Sequence, residues 1–300
     1  PQTCTIHLTT YAKDYNTFYR ATAKLFWLDF AKMLNDGRLL QLSHDTKSVW
    51  TWTTGDQHLS NFGAWKNRHS QIVFTVNDFD EAALYDFQID VLRVAVSMVN
   101  HGQTNGLHVE EVLFDFCDTY VNTVVSYLGN EKAQTFELTA ETASGMLQDF
   151  LQNVEHDNSH EELMSKYTEL NDENDSYSRR FVHTKKSKLE PLDNVPLQEM
   201  KDAFSAATRY RATMMKTGWH VHEWDDDYFY VLDAAARVGS GVGSYGVDRY
   251  YVLLHGNSDE GEPAIVLDVK YDPKPAVSLV LDEDDQAWYD VLFANEAASV

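Results

Sequence analysis

Two short stretches hold residues whose types and spacing suit chemistry. TTGDQHLSNFGAW, residues 53–65, puts Asp56, His58 and Asn61 in one loop, and VNDFDEA, residues 76–82, puts Asp78, Asp80 and Glu81 just after an apolar run. A carboxylate within reach of a substrate hydroxyl can accept its proton. An asparagine five residues later can turn back along the same loop and ligate a metal. An aspartate beyond the next strand can hold that metal against two phosphates. This is the division of labour of phosphoryl transfer, where catalysis is mostly positioning and neutralisation of charge. Asp56, His58, Asp78 and Asp80 are also the ligand types of a metal-dependent hydrolase. Taken singly, each Asp is equally suited to a turn or a helix N-cap.

A second constellation lies far downstream. VGSGVGSYGVDRYYVLL places Gly239, Gly241, Gly243 and Gly246 between two strand-like runs, and Lys270 ends the next such run, AIVLDVK. Glycines let a backbone approach phosphates closely and present N–H groups to them. A lysine one strand later is placed to pair with the α- and β-phosphates of a nucleotide. A strand follows the glycines, not the helix of a dinucleotide-binding turn, and no Walker Gly-Lys-Ser/Thr is present. The hydrolase reading gives this segment no role.

The elements that position these residues follow from periodicity. DYNTFYRATAKLFWLDFAKML, residues 14–34, has helical apolar spacing, while SVWTWT (48–53) and QIVFTV (71–76) read as strands flanking the first loop. Residues 86–155 are mainly helical, 156–196 form a polar excursion or linker, and a helix covers about 197–217. Strand, glycine loop, strand, turn and strand follow, and then acids at 282–285 lead a last helix. Helices first and antiparallel strands later predict an α+β fold. The expected division is a helical catalytic lobe over 1–225 and a β-rich lobe over 226–300 that clamps a nucleotide.

The segments GDQHLSNFG and VNDFDEA resemble the catalytic loop and metal-binding Asp of the aminoglycoside phosphotransferase and choline kinase group. More broadly, the chain resembles the bacterial family called domain of unknown function 2252. The matching segments are FYRATAKLFWLDF, GDQHLSNFG, FTVNDFDEA, DFQIDVLRVAVS, and DAAARVGSGVGSYGVDRYYVLL with LDVKYD, spread over residues 18–272. The resemblance implies a two-lobed, protein-kinase-like fold. It implies Asp56 as the catalytic base with His58 ordering the loop, Asn61 and Asp78 as metal ligands, and Asp80 as a ligand of a second metal. Asp90 resembles the buried Asp that ties the following helix to the catalytic loop. The implied cofactors are ATP and Mg²⁺, with Gly239, Gly241, Gly243, Gly246 and Lys270 binding the nucleotide. Thr54 stands where many phosphotransferases have His, and Asp80 stands where protein kinases have the glycine of Asp-Phe-Gly; neither change removes a catalytic carboxylate. The glycine loop and lysine follow the catalytic loop by about 180 residues, the reverse of the kinase order, which implies a circular permutation. The acidic partner of Lys270 is left open between Glu283 and Glu296.

Composition sets outer bounds. With 47 acidic against 24 basic residues, the net charge of −23 opposes phosphate backbones, so no nucleic-acid partner is expected. The acceptor is a hydroxyl compound, and the acidity suits a small or cationic one. Two cysteines, Cys4 and Cys117, give no disulfide framework, and neither a signal segment nor a membrane span is evident, so a cytoplasmic protein is expected. The chain opens at Pro1 and closes on NEAASV, a helix-like ending without a capping Gly or Pro, which reads as a fragment continuing beyond it. A nucleotide-binding protein without turnover is the alternative from outside enzymology.

Overall fold

The computed structural model describes residues 14–38, 49–67, 69, 71–157, 160–172, 178–205, 227–239, 247–257, 264–271 and 273–293. Helix α1 (Tyr15–Arg20) starts where the Asp14 carboxylate accepts the Thr17 amide proton at 2.8 Å. Non-helical backbone at Thr22 separates it from α2 (Ala23–Asn35), so the one helix expected over 14–34 is two. Strand β1 (Trp50–Thr53) leads into the Asp56 loop, which closes in a 3-10 turn, Leu59–Asn61. Next come β2 (Phe62–Lys66), β3 (Ile72–Val76), β4 (Ala83–Asp86), α3 (Gln88–Asn105) and α4 (Val109–Ser126). The chain continues through α5 (Met146–Asp157), α6 (His160–Tyr167), β5 (Thr168–Leu170), β6 (Arg179–Phe181), β7 (Leu189–Pro191) and α7 (Asn194–Ser205). It then runs through β8 (Val231–Arg237), β9 (Arg249–Leu254), β10 (Ile265–Lys270) and α8 (Glu283–Leu292). The fold is mixed α+β, as the segment order predicts.

Packing divides the chain into two compact units: residues 1–63, 74–137 and 272–300 form one, and residues 64–73 with 138–271 form the other. This differs from the single division near residue 225 that the sequence suggests. The stretch expected as a linker, 156–196, contains α6, β5, β6 and β7. Met164, Tyr167, Phe181 and Leu189 of this stretch are buried, and that burial gives a polar-looking segment fixed structure.

In the first unit, the apolar stripe of α2 supplies Trp27 and Phe30, which pack with Ala83, Tyr85, Ile89, Ala276, Val277 and Tyr289. Each large side chain buried here contributes about 1.5–3 kcal/mol. β1 pairs antiparallel with β4, Trp50 opposite Asp86 and Thr53 opposite Ala83. The C-terminal segment belongs to this core, and the Tyr289 hydroxyl accepts the Leu84 amide proton at 2.6 Å. Helix α3 ends at Gly106, whose left-handed backbone (φ 68°) caps it.

In the second unit, the antiparallel sheet has strand order β10-β9-β8-β7. Its inner strand β9 is buried on both faces over Val252–Leu254. Leu253 joins Met164, Phe181, Leu189 and Ala235 on one side, while Val252 and Leu254 join Phe204, Phe229, Val231 and Ala234 on the other. No helix among the described residues is long and apolar enough to cross a membrane.

Candidate functional site

The loop after β1 is built around the backbone of Asp56. Its carbonyl accepts the His58 amide proton at 2.9 Å and the side-chain Nδ2–H of Asn61 at 2.9 Å. The Asn61 amide donates to the His58 carbonyl at 2.8 Å, closing the 3-10 turn. The Gln57 side chain spans the loop, accepting from the Thr54 hydroxyl at 2.9 Å and donating to the Asn61 carbonyl at 3.1 Å. With its Nδ2 turned inward, Asn61 keeps Oδ1 as an acceptor.

One face of α3 holds this loop from below. Asp90 accepts the Thr54 amide at 2.7 Å and the Gly55 amide at 3.0 Å, the tie that the resemblance implies for it. Arg93 Nε donates to Asp56 Oδ1, and Ser97 Oγ accepts the Leu59 amide at 3.1 Å. Positions 90, 93 and 97 recur at helical spacing, so a single rigid element sets the loop. Gly55 is fixed from three sides. Its carbonyl accepts the Trp27 indole N–H at 2.9 Å, its φ is +73°, and a Cβ placed on it would lie 1.9 Å from the Glu81 carbonyl oxygen. Only glycine lets the two acidic segments approach this closely.

The second segment is joined to the first through the Asn77 amide, which donates to the Asn61 carbonyl at 2.9 Å. Asp78, the next residue, is exposed and has a left-handed backbone, φ 74°. That conformation costs a non-glycine residue about 1–2 kcal/mol, and such strain gathers at functional positions. Asp80 is half-buried in the turn before β4, and a backbone bond from the Ala82 amide to the Phe79 carbonyl, 2.9 Å, closes that turn. Glu81 accepts the Ala276 amide proton through Oε2.

The site's electrostatics follow from burial. Burial pushes the Asp56 carboxyl up to about 7, the Arg93 guanidinium opposes this, and the charges of Glu81 and Asp78 add to it. Burial, followed by the charges of Arg93 and Arg20, holds His58 down at about 4, so its ring is neutral. Burial also raises Asp90, while its bonds to Thr54 and Gly55 oppose the rise. His58 Nε2 lies 4.0 Å from Asp56 Oδ2. Among the described residues, no group of three His, Cys, Asp or Glu is arranged to hold a metal ion.

The second unit carries the other constellation. β8 and β9 flank the glycine segment, and β10 pairs with β9. Lys270 stands opposite Arg249, the first residue of β9, at the sheet end where β8 finishes and β9 starts. Gly239 has φ +67°, and a Cβ placed on it would meet Lys188 Cδ at an ordinary contact distance, 3.9 Å. Gly241, Gly243 and Gly246 lie outside the described residues, as does Glu296. Arg237 donates through Nη1 to the carbonyls of Ser187, Lys188 and Val238 at 3.2–3.3 Å, bracing the start of the glycine segment.

The structure therefore brings Asp56, His58, Asn61, Asp78 and Asp90 together in the first unit. The positioning contacts of Arg93, Ser97, Trp27 and Gln57 were missed. For Arg93 and Ser97 the available signal was the Asp-x-x-Arg-x-x-x-Ser spacing within a helical stretch. No curated protein and no solved structure matches the chain. Residues 1–295 match one family model, and the chain belongs to that family, the uncharacterised proteins conserved in bacteria called DUF2252.

Proposed function

We propose that the chain is an ATP- and Mg²⁺-dependent phosphotransferase of kinase-like type, with its two lobes in circularly permuted order, acting on a hydroxyl acceptor. The observation that carries the reading is the Asn61 side chain folded back onto the Asp56 carbonyl, with Asp78 next to the backbone bond that joins the two segments. This leaves Asn61 Oδ1 and the Asp78 carboxylate as hard oxygen donors. Mg²⁺ is typically held by one or two such groups plus phosphates, so the donor set fits. Bound Mg²⁺ would neutralise phosphate charge. Asp56, raised toward neutrality by burial, is suited to accept a hydroxyl proton. Asp90, Ser97 and Trp27 hold the loop rigid, so little reorganisation is needed on reaction. Lys270, at the end of β10 beside the first residue of β9, supplies a cation suited to a nucleotide's phosphates.

Thermal melting with and without Mg-ATP tests the reading. A ligand at a hundred times its dissociation constant stabilises by roughly 2.7 kcal/mol. A magnesium-dependent shift with ATP supports it. A shift with Mn²⁺ or Zn²⁺ alone and none with nucleotide would point to a hydrolase. A nucleotide shift without transfer to any acceptor would indicate a binding protein.

A further inference from the structure

Arg93 is fully buried in the first unit and its contacts immobilise it. Nε donates to Asp56 Oδ1, and Nη2 donates to the Tyr19 carbonyl at 3.0 Å. The Tyr19 hydroxyl returns a bond to the Arg93 carbonyl at 3.1 Å. The guanidinium lies 4.4 Å from the Tyr19 ring centroid and 4.9 Å from that of Phe26, so α1 and α2 hold it on its apolar faces. Nη1 is buried with no hydrogen-bond partner among the described residues, and the guanidinium's charged bond goes to Asp56.

From this geometry we infer that Arg93 is the positioning residue of the transfer base: it holds Asp56 by Oδ1 and leaves Oδ2 to take the acceptor's proton. The inference rests on the phosphotransferase reading above. In the step, the acceptor O–H bond breaks and its proton goes to Asp56 Oδ2. The freed electron pair forms the new O–P bond to the γ-phosphorus. The old P–O bond breaks, and its electron pair leaves with the nucleoside diphosphate. Lysine cannot replace Arg93, because one ammonium cannot reach both Asp56 and the Tyr19 carbonyl in the fork's plane.

The test compares wild type, Arg93→Lys, Arg93→Ala and Asp56→Asn in the full chain. It combines crystal structures with phosphate release from Mg-ATP, water serving as acceptor. In Arg93→Lys the Asp56 carboxylate is expected to leave its wild-type orientation while the Asp90 bonds to Thr54 and Gly55 persist. The rate constant kcat should fall about 10²-fold, the scale of a 1 Å misplacement, with KM for Mg-ATP nearly unchanged. Guanidinium ion should restore turnover to Arg93→Ala and not to Asp56→Asn. A carboxylate that keeps its orientation in Arg93→Lys overturns the inference. So does a loss in which kcat and KM worsen together as the loop unravels, since that marks a structural role. Failure of the phosphotransferase reading looks different: wild type itself neither binds Mg-ATP nor releases phosphate, and the catalytic role of Arg93 then falls even where its substitution frees the carboxylate.

Discussion

Gly55→Ala tests the packing that brings the two acidic segments together, and Gly37→Ala is its control. Both glycines have left-handed backbones, φ +73° and +65°, but a Cβ on Gly37 meets nothing within 4 Å, whereas one on Gly55 would lie 1.9 Å from the Glu81 carbonyl oxygen. The left-handed conformation costs alanine about 1–2 kcal/mol at either position. At Gly55 the two backbones must also part by about 1.4 Å to restore an ordinary C···O separation of roughly 3.3 Å. Forcing apart a packed contact adds about 1–3 kcal/mol. Gly55→Ala should therefore cost about 2–5 kcal/mol and Gly37→Ala about 1–2 kcal/mol. At about 2–4 °C per kcal/mol, Gly55→Ala should melt roughly 2–12 °C below Gly37→Ala. Equal melting temperatures for the two variants would refute the close approach of the Asp56 loop to the Glu81 turn.

Further predictions concern the carboxylates. Asp90→Ala leaves the Thr54 and Gly55 amides without their acceptor, so urea denaturation should show a loss of about 3–6 kcal/mol, since each charged bond is worth about 1.5–3 kcal/mol. Asp78→Asn should abolish the magnesium-dependent part of nucleotide stabilisation, as read by melting with ATP in Mg²⁺ and in chelator. Turnover should fall as pH drops below about 7, because Asp56 accepts a proton only when ionised. In stability Asp56 and His58 act with opposite sign. A raised carboxyl pKa gives a contribution present at acid pH and lost as pH rises through about 7, so wild type should lose stability relative to Asp56→Asn across that rise. A depressed imidazole pKa gives a contribution present at neutral pH and lost as pH falls toward about 4, so wild type should lose stability relative to His58→Gln on acidification.

What the sequence reveals depends on how local the cause is. The Asp56–Asn61 loop is legible because its polar residues lie within one turn's reach and hydrogen-bond to the loop's own backbone. β8, β9 and β10 are legible because each is rich in apolar, aromatic or β-branched residues with few charges between them. β2 was missed: FGAWK carries a glycine and no β-branched residue, and it is a strand because it pairs with β3. The bond between Leu84 and Tyr289 joins positions 205 residues apart, and no local pattern announces it. Arg93 was missed for a related reason. Among the apolar residues of DFQIDVLRVAVS it reads as a charge on a solvated face, yet it is buried, its charge paired with Asp56 and its guanidinium packed against the Tyr19 and Phe26 rings.

The most direct test of the account is phosphoryl transfer from ATP with Mg²⁺ across a panel of hydroxyl acceptors, with wild type and Asp56→Asn run side by side. The account predicts that wild type transfers phosphate to an acceptor, and that Asp56→Asn keeps the Mg-ATP melting shift but loses about 10²–10⁴-fold in turnover. Transfer by Asp56→Asn at the wild-type rate would contradict it, as would a wild type whose melting is unmoved by Mg-ATP.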